Sequence, residues 1–207
     1  TPPPNKAEVL LRKLVLAREA LTKSSTELCG TLEGVEGSEA GKILKKTIAS
    51  IEKQIAKLET RIKETLQSDE KLSGLSEVLC EIKGVGTITA AAVLAYVPEI
   101  GTLGRRQAAA LAGLAPYTRD SGRFKGKTFI SGGRRQVRRA LFMPATVGRR
   151  CNPVFKAVYE RLIEKGKPYK VALTAVMRRL FCYMDAVAAK WLAQQNAAVT
   201  SSSPEAT

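Results

Sequence analysis

The chain has 207 residues, 44% of them apolar, which is enough for one compact domain or for a small domain with a long helical appendage. Its 34 basic and 19 acidic side chains leave a formal charge of +15, which points to nucleic acid before any other partner. Histidine is absent, and this excludes a Ser-His-Asp triad, a histidine general base and any histidine-bearing metal site within the chain.

Aromatic residues make up only 5%, which argues against an extended stacking platform for single strands. Cys29, Cys80, Cys151 and Cys182 are scattered, with no Cys-x-x-Cys pair, so they suit a reducing cytosol and read as small core hydrophobes. No apolar run is long enough to span a bilayer, and no membrane partner is expected.

Charge divides the chain unevenly. Residues 1–75 hold 13 basic and 11 acidic side chains, and residues 76–207 hold 21 and 8. Within 104–150 the ratio is 12 basic to the single acid Asp120. A near-neutral arm over 1–75 and a cationic domain over 76–195 are expected, with a disordered Ser/Ala-rich tail over 196–207.

The arm reads as two long helices. Pro2, Pro3 and Pro4 precede a capping pattern of Asn5 with Glu8. Leu10, Leu14, Ala17, Leu21 and Leu28 form a stripe, and Gly30, Gly34, Gly37 and Gly41 predict the break. Leu44, Ile48, Ile51, Ile55, Leu58, Ile62 and Leu66 then repeat by threes and fours, the spacing of a coiled-coil seam. The expected product is a long antiparallel coiled-coil hairpin. Two helices alone bury little, so the stripe predicts a homo-oligomer, dimer or tetramer.

Next comes Ile82-Lys83-Gly84-Val85-Gly86-Thr87, a Gly-x-Gly turn between apolar helical stretches. It reads as a helix-hairpin-helix element whose amides and Lys83 approach a phosphate, or as a plain tight turn in an all-helical core. Gly113, Pro116, Gly122, Gly126, Gly132 and Gly133 punctuate an irregular loop or small β-hairpin. A helix over 134–148 follows, kinked at Pro144. Another starts at Asn152 and Pro153. The last starts near Pro168, with Ala172, Ala175, Val176, Leu180, Tyr183, Val187 and Trp191 along one side. The fold class is therefore mainly α.

Ser121 lies in the Gly-punctuated segment beside Arg119, Arg123, Lys125 and Lys127. Arg134, Arg135, Arg138 and Arg139 follow at spacings that line one side of a helix. Phosphodiester chemistry needs a nucleophile and cations for the charge that develops on phosphorus. A serine among arginines supplies both without the carboxylate cluster of a two-metal site. On the residues alone, a turn serine among DNA-backbone contacts is the plainer reading, and Ser131 is a second candidate of the same kind.

Several motifs recur in order over about half the chain. They are Gly84-Val85-Gly86 with Thr89-Ala90, Leu111-Ala112-Gly113-Leu114-Ala115-Pro116, Ser121-Gly122, Ile130-Ser131, Arg135 with Arg138-Arg139-Ala140-Leu141, Tyr159 with Leu162, Gly166-Lys167, and Ala172-Leu173 with Ala175. This stretch, from Ile82 to Lys190, resembles the C-terminal domain of IS110-family transposases, the bridge-RNA-guided recombinases of bacterial insertion sequences. The helical arm is similar to that family's coiled coil. The resemblance implies a DNA recombinase that cuts and rejoins strands through a serine, here matched by Ser121 with Ser131 as fallback.

It also implies double-stranded DNA and a structured guide RNA as partners. Lys83, Gly84, Gly86, Arg119, Arg123, Lys125, Lys127, Arg134, Arg135, Arg138 and Arg139 are the expected nucleic-acid contacts. No metal or other cofactor is expected in this chain. A divalent metal, magnesium, is expected in a RuvC-like N-terminal domain that this sequence lacks, which makes the chain a fragment in this reading. Three departures stand out: Lys83 where the family often has Pro, Ser131-Gly132-Gly133 where it often has Ser-Lys-Arg-Gly, and Pro144 within a helix. The alternative is a non-catalytic DNA- or RNA-binding module. A purely structural protein would leave the +11 of residues 104–150 unexplained.

Overall fold

The computed structural model describes residues 5–117 and 129–201, and among these it is mainly α. The helices are α1 (Lys6–Val35), α2 (Glu39–Gln67), α3 (Glu70–Cys80), α4 (Thr87–Tyr96), α5 (Arg105–Leu111), α6 (Arg135–Cys151), α7 (Pro153–Glu164) and α8 (Tyr169–Ser201). One antiparallel ribbon pairs β1 (Pro116–Tyr117) with β2 (Phe129–Ile130). The chain forms two compact units, Pro2–Ser73 and Gly74–Thr207, and the division falls inside α3.

In the first unit α1 and α2 run antiparallel. Asn5 donates to Asp69 at 2.7 Å, Arg18 pairs with Glu59 at 2.7 Å, and Lys45 pairs with Glu36 at 3.0 Å. Glu8 accepts from the Asn5 amide at 3.2 Å, as the capping pattern predicts.

The glycine break is shorter than its four glycines suggest. Gly30 and Gly34 lie within α1 and Gly41 within α2, leaving only residues 36–38 as the turn. A helical glycine costs only about 1 kcal/mol, which a continuing seam on both sides offsets. Gly37 takes the one left-handed conformation there, with φ of 90°. Ser38 caps α2 by accepting from the Gly41 amide at 3.1 Å.

The seam of α1 also differs from the predicted stripe. Ala7, Leu11, Leu14, Arg18, Leu21, Ser25, Leu28, Leu32 and Val35, spaced by fours and threes, are covered, with Val15 beside them 3% exposed and Glu8 and Glu19 half-buried, while Leu10 is 41% exposed and Ala17 is exposed. Arg18 and Ser25 interrupt the apolar pattern, and Arg18 is accommodated by its ion pair with Glu59. The α2 seam follows the predicted residues. Burial is deepest near the free ends of the hairpin, at Leu11, Val15, Ile62 and Leu66, and Ile48, nearer the turn, is buried as well. Towards the turn, Leu21, Leu28, Leu44, Ile51, Ile55 and Leu58 are half-buried.

In the second unit α4 is apolar all round, and residues 90–96 are all buried. It lies against α6, while α6, α7 and α8 pack pairwise and α5 rests on α8. Asn152 caps α7 by accepting from the Val154 amide at 3.0 Å, with Pro153 in the first turn. Pro144 sits inside α6 with its side chain buried.

On α8 the buried face is Ala172, Leu173, Val176, Met177, Leu180, Phe181, Met184 and Ala188. Tyr183, expected on that face, is 49% exposed, because it lies at the flank of the face, where its ring meets the buried Phe155 edge-on at 6.4 Å between centres and leaves its other side to solvent. The helix also continues to Ser201, through the start of the expected tail, since its Ala- and Gln-rich end retains helix propensity. Cys29 and Cys151 are exposed and so are not core residues; both lie on outward helix faces. Cys80 and Cys182 are half-buried.

Candidate nucleic-acid interface

The ends of the serine-bearing segment are drawn together by glycine and arginine. Gly113, Gly132 and Gly133 all have positive φ, and the Gly113 and Gly133 backbones approach so closely that neither position has room for a Cβ. The Arg134 amide donates to the Leu111 carbonyl at 2.6 Å. Arg138 reaches across this junction, donating to the carbonyls of Gly113 at 3.2 Å and Gly132 at 3.1 Å. The ribbon begins just beyond, with Pro116 opposite Ile130 and Tyr117 opposite Phe129.

Arg134 forms a second anchor. Its guanidinium donates to the Tyr96 carbonyl and pairs with Glu99, both at 2.6 Å. Burial raises the Glu99 carboxyl, but the hydrogen bond from Arg134, a backbone hydrogen bond and the Arg134 charge outweigh it and hold the group below its usual range. The same 97–104 loop is held from α8 by Asp185, which is 5% exposed and accepts from the Gly101 amide at 2.8 Å. Burial raises the Asp185 carboxyl despite hydrogen bonds from the Gly101 and Leu103 amides.

These contacts divide the four arginines that the sequence groups together. Arg134 is the cap residue of α6 rather than part of the helix, and Arg134 and Arg138 are engaged with backbone. Arg135 and Arg139 are exposed. Ser131 follows β2 directly and is exposed. Arg119, Ser121, Arg123, Lys125 and Lys127 lie outside the described residues.

At the Gly-x-Gly turn, Gly84 has φ of 100° and faces Pro144 and Gly148 of α6, where an added Cβ would come within 3.1 Å of backbone. That glycine is thus needed for packing the turn onto α6. Gly86 has open space around it, precedes α4 with no side-chain cap, and lies three residues from the exposed Lys83. One cation that sequence reasoning missed is Arg149, whose guanidinium lies 4.8 Å from the Tyr159 ring centre and 5.6 Å from that of Tyr169. The spacing of 149, 159 and 169 gives no signal, because the three belong to different helices.

Among the described residues no three carboxylate or thiol groups converge as metal ligands, and no helix is long and apolar enough to cross a membrane.

Residues 76–160, from α3 into α7, match the family model described as Transposase IS116/IS110/IS902 family. The 43.6 kDa protein of insertion element IS110 from Streptomyces coelicolor is 34% identical over 153 residues, which cover 72% of this chain and 35% of that protein. The pilin gene-inverting protein of Moraxella lacunata is 31% identical over 139 residues, 64% of this chain and 42% of its own length. The 42 kDa protein of insertion element IS900 from Mycobacterium paratuberculosis is 30% identical over 140 residues, 64% and 35% respectively. The chain therefore spans well under half the length of these relatives. The arginine-clamped loop junction lies wholly inside the matched stretch, and over residues 76–160 this chain is similar to the transposase domain of the IS116/IS110/IS902 family.

Proposed function

We propose that this chain is the coiled-coil and DNA-handling portion of a recombinase that rearranges bacterial insertion sequences. The observation that carries the reading is the transposase-family match over residues 76–160, which spans the clamped base of the Ser121 segment. Exposed cations on α6 and near the α4 start, Arg135, Arg139 and Lys83, bind the backbone of double-stranded DNA. A structured guide RNA is the second nucleic-acid partner, and the pair of strands is handled in the cytoplasm of a bacterium.

Ser121 is the nucleophile. Its Oγ attacks the phosphorus of a strand, the Oγ–P bond forms, and the P–O bond to the departing sugar breaks. The hydroxyl proton passes to a base, and the departing sugar oxygen takes up a proton. Rejoining reverses the step, with a strand hydroxyl attacking the phosphoserine and returning Oγ. Arg119, Arg123, Lys125 and Lys127 offset the charge on phosphorus. With no histidine in the chain, the base is a water or a residue of another type. The divalent metal, magnesium, belongs to a further, RuvC-like domain in this reading. Arg138 acts on this chemistry through the loop, as a positioning residue.

The test is trapping of a covalent adduct on a nicked DNA substrate by the full-length recombinase. The adduct is expected on the peptide containing Ser121, and Ser121→Ala is expected to abolish cleavage while DNA binding stays within a few fold. Ser131→Ala is expected only to weaken cleavage. An adduct on Ser131 would move the nucleophile there. Cleavage at wild-type rate by both variants would favour the non-catalytic binding module.

A further inference from the structure

A groove of about 1080 Å³ opens among α6, α7, α8 and the β1–β2 ribbon. Its composition is unusual in two ways at once. Among the described residues its lining carries the exposed cations Arg105, Arg139, Arg161, Lys170, Arg178 and Arg179, and no carboxylate. Between them the surface is apolar, with Phe142 at 46%, Val171 at 50% and Ile130 at 38% exposure. Leu173 and Met177 close the floor.

We infer that this groove takes a short unpaired stretch of a nucleic-acid strand, with phosphates on the arginine rim and an unstacked base against Phe142. The inference rests on the nucleic-acid reading above and assigns it a second, strand-selective site. Paired DNA presents phosphates but hides its base faces, so it satisfies the rim and leaves the apolar surface wet. An unstacked base presents a flat apolar face beside its own phosphate, which matches both parts of the groove. One exposed ring suffices for one or two nucleotides, so the low aromatic content of the chain is no obstacle.

Charge sets the other occupants aside. Residues 118–128 carry Arg119, Arg123, Lys125 and Lys127 against Asp120, and a second copy of this chain brings +15. Either would place like charge against the rim. The remaining rival is a partner protein with an acidic amphipathic helix.

Three probes separate the outcomes: a 30-base-pair duplex, the same duplex with a four-nucleotide bubble carrying 2-aminopurine, and a glutamate-rich amphipathic peptide. The intact chain is expected to bind the bubble on the order of ten-fold more tightly than the duplex, with a change in 2-aminopurine emission. Phe142→Ala is expected to bring the bubble-to-duplex ratio towards one and to remove the emission change. Val171→Asp, a surface position that leaves the core untouched, does the same by placing a carboxylate among the phosphates. Equal affinity for bubble and duplex in the unaltered chain overturns the groove assignment and leaves the duplex-binding reading standing. A preference that survives both substitutions also overturns it. Binding of neither DNA overturns both readings. Phe142-dependent binding of the peptide, without a bubble preference, assigns the groove to a protein.

Discussion

The hairpin and the cationic unit use charge in opposite ways. In the hairpin most charged side chains lie outside the seam, and pairs such as Lys23 with Glu27 and Arg61 with Glu64 run along the helix surface. These pairs are exposed and hold little energy, so the apolar seam carries the structure. In the cationic unit Arg134 and Arg138 are part of the architecture, with their guanidinium groups bonded to backbone carbonyls that end helices and close a loop. A charge count therefore means different things in the two regions. In the hairpin it describes a solvated surface. In the second unit it overstates the surface offered to nucleic acid, because part of it is already engaged.

The sharpest way to break the comparison lies in the hairpin. Ile62→Ala, at a position with no exposure, is expected to cost about 2–5 kcal/mol in denaturant unfolding. The half-buried seam nearer the turn behaves otherwise: we propose that it is completed by a second copy of the chain. Light scattering at micromolar concentration is expected to show a dimer or larger, and Ile55→Lys to shift it towards monomer. A monomer at all concentrations, indifferent to Ile55→Lys, would remove the oligomer from the account.

The arginines come next in size. Arg134→Ala is expected to lower stability by about 1–2 kcal/mol, because it breaks a carbonyl contact and an ion pair that solvent partly screens. Arg135→Ala, exposed on the same turn, is expected to change stability by less than about 0.5 kcal/mol. Equal effects on unfolding would dissolve the distinction between clamp and surface.

The smallest effect is in pH. Since Glu99 is held below its usual range when folded, its contribution is fully present above the ordinary glutamate range and is lost as pH falls through that range to the lower folded value. Asp185 works in reverse: its raised folded value means that ionisation opposes folding, a cost that appears as pH rises through the ordinary aspartate range to the folded value. Glu99→Gln is expected to remove an acid-side loss of stability, whereas Asp185→Asn is expected to relieve a loss towards neutral pH. Thermal unfolding across pH 3–7 checks both signs.

Helix content was legible because periodicity and caps are local. The α2 seam, the Asn5 and Asn152 caps and the Pro153 start all follow from neighbouring residues. The α1 seam was misplaced by one position at Leu10 because Arg18 and Ser25 occupy seam sites, and only the opposite helix supplies Glu59. The same limit applies to the candidate interface. Its motifs are visible in the chain, but the division of Arg134 and Arg138 from Arg135 and Arg139 depends on carbonyls 6 to 38 residues away. Gly84 shows it again: its turn is apparent, yet the demand for glycine comes from Gly148 and Pro144 on α6.

The salt dependence of duplex binding tests the division of labour most directly. The slope of log affinity against log salt counts the phosphate contacts a protein makes. Arg135→Ala with Arg139→Ala is expected to reduce that slope by about 2, with little change in thermal stability. Arg134→Ala with Arg138→Ala is expected to lower the melting temperature while the slope of the protein that remains folded is unchanged. A slope that falls with the second pair and holds with the first would contradict the account.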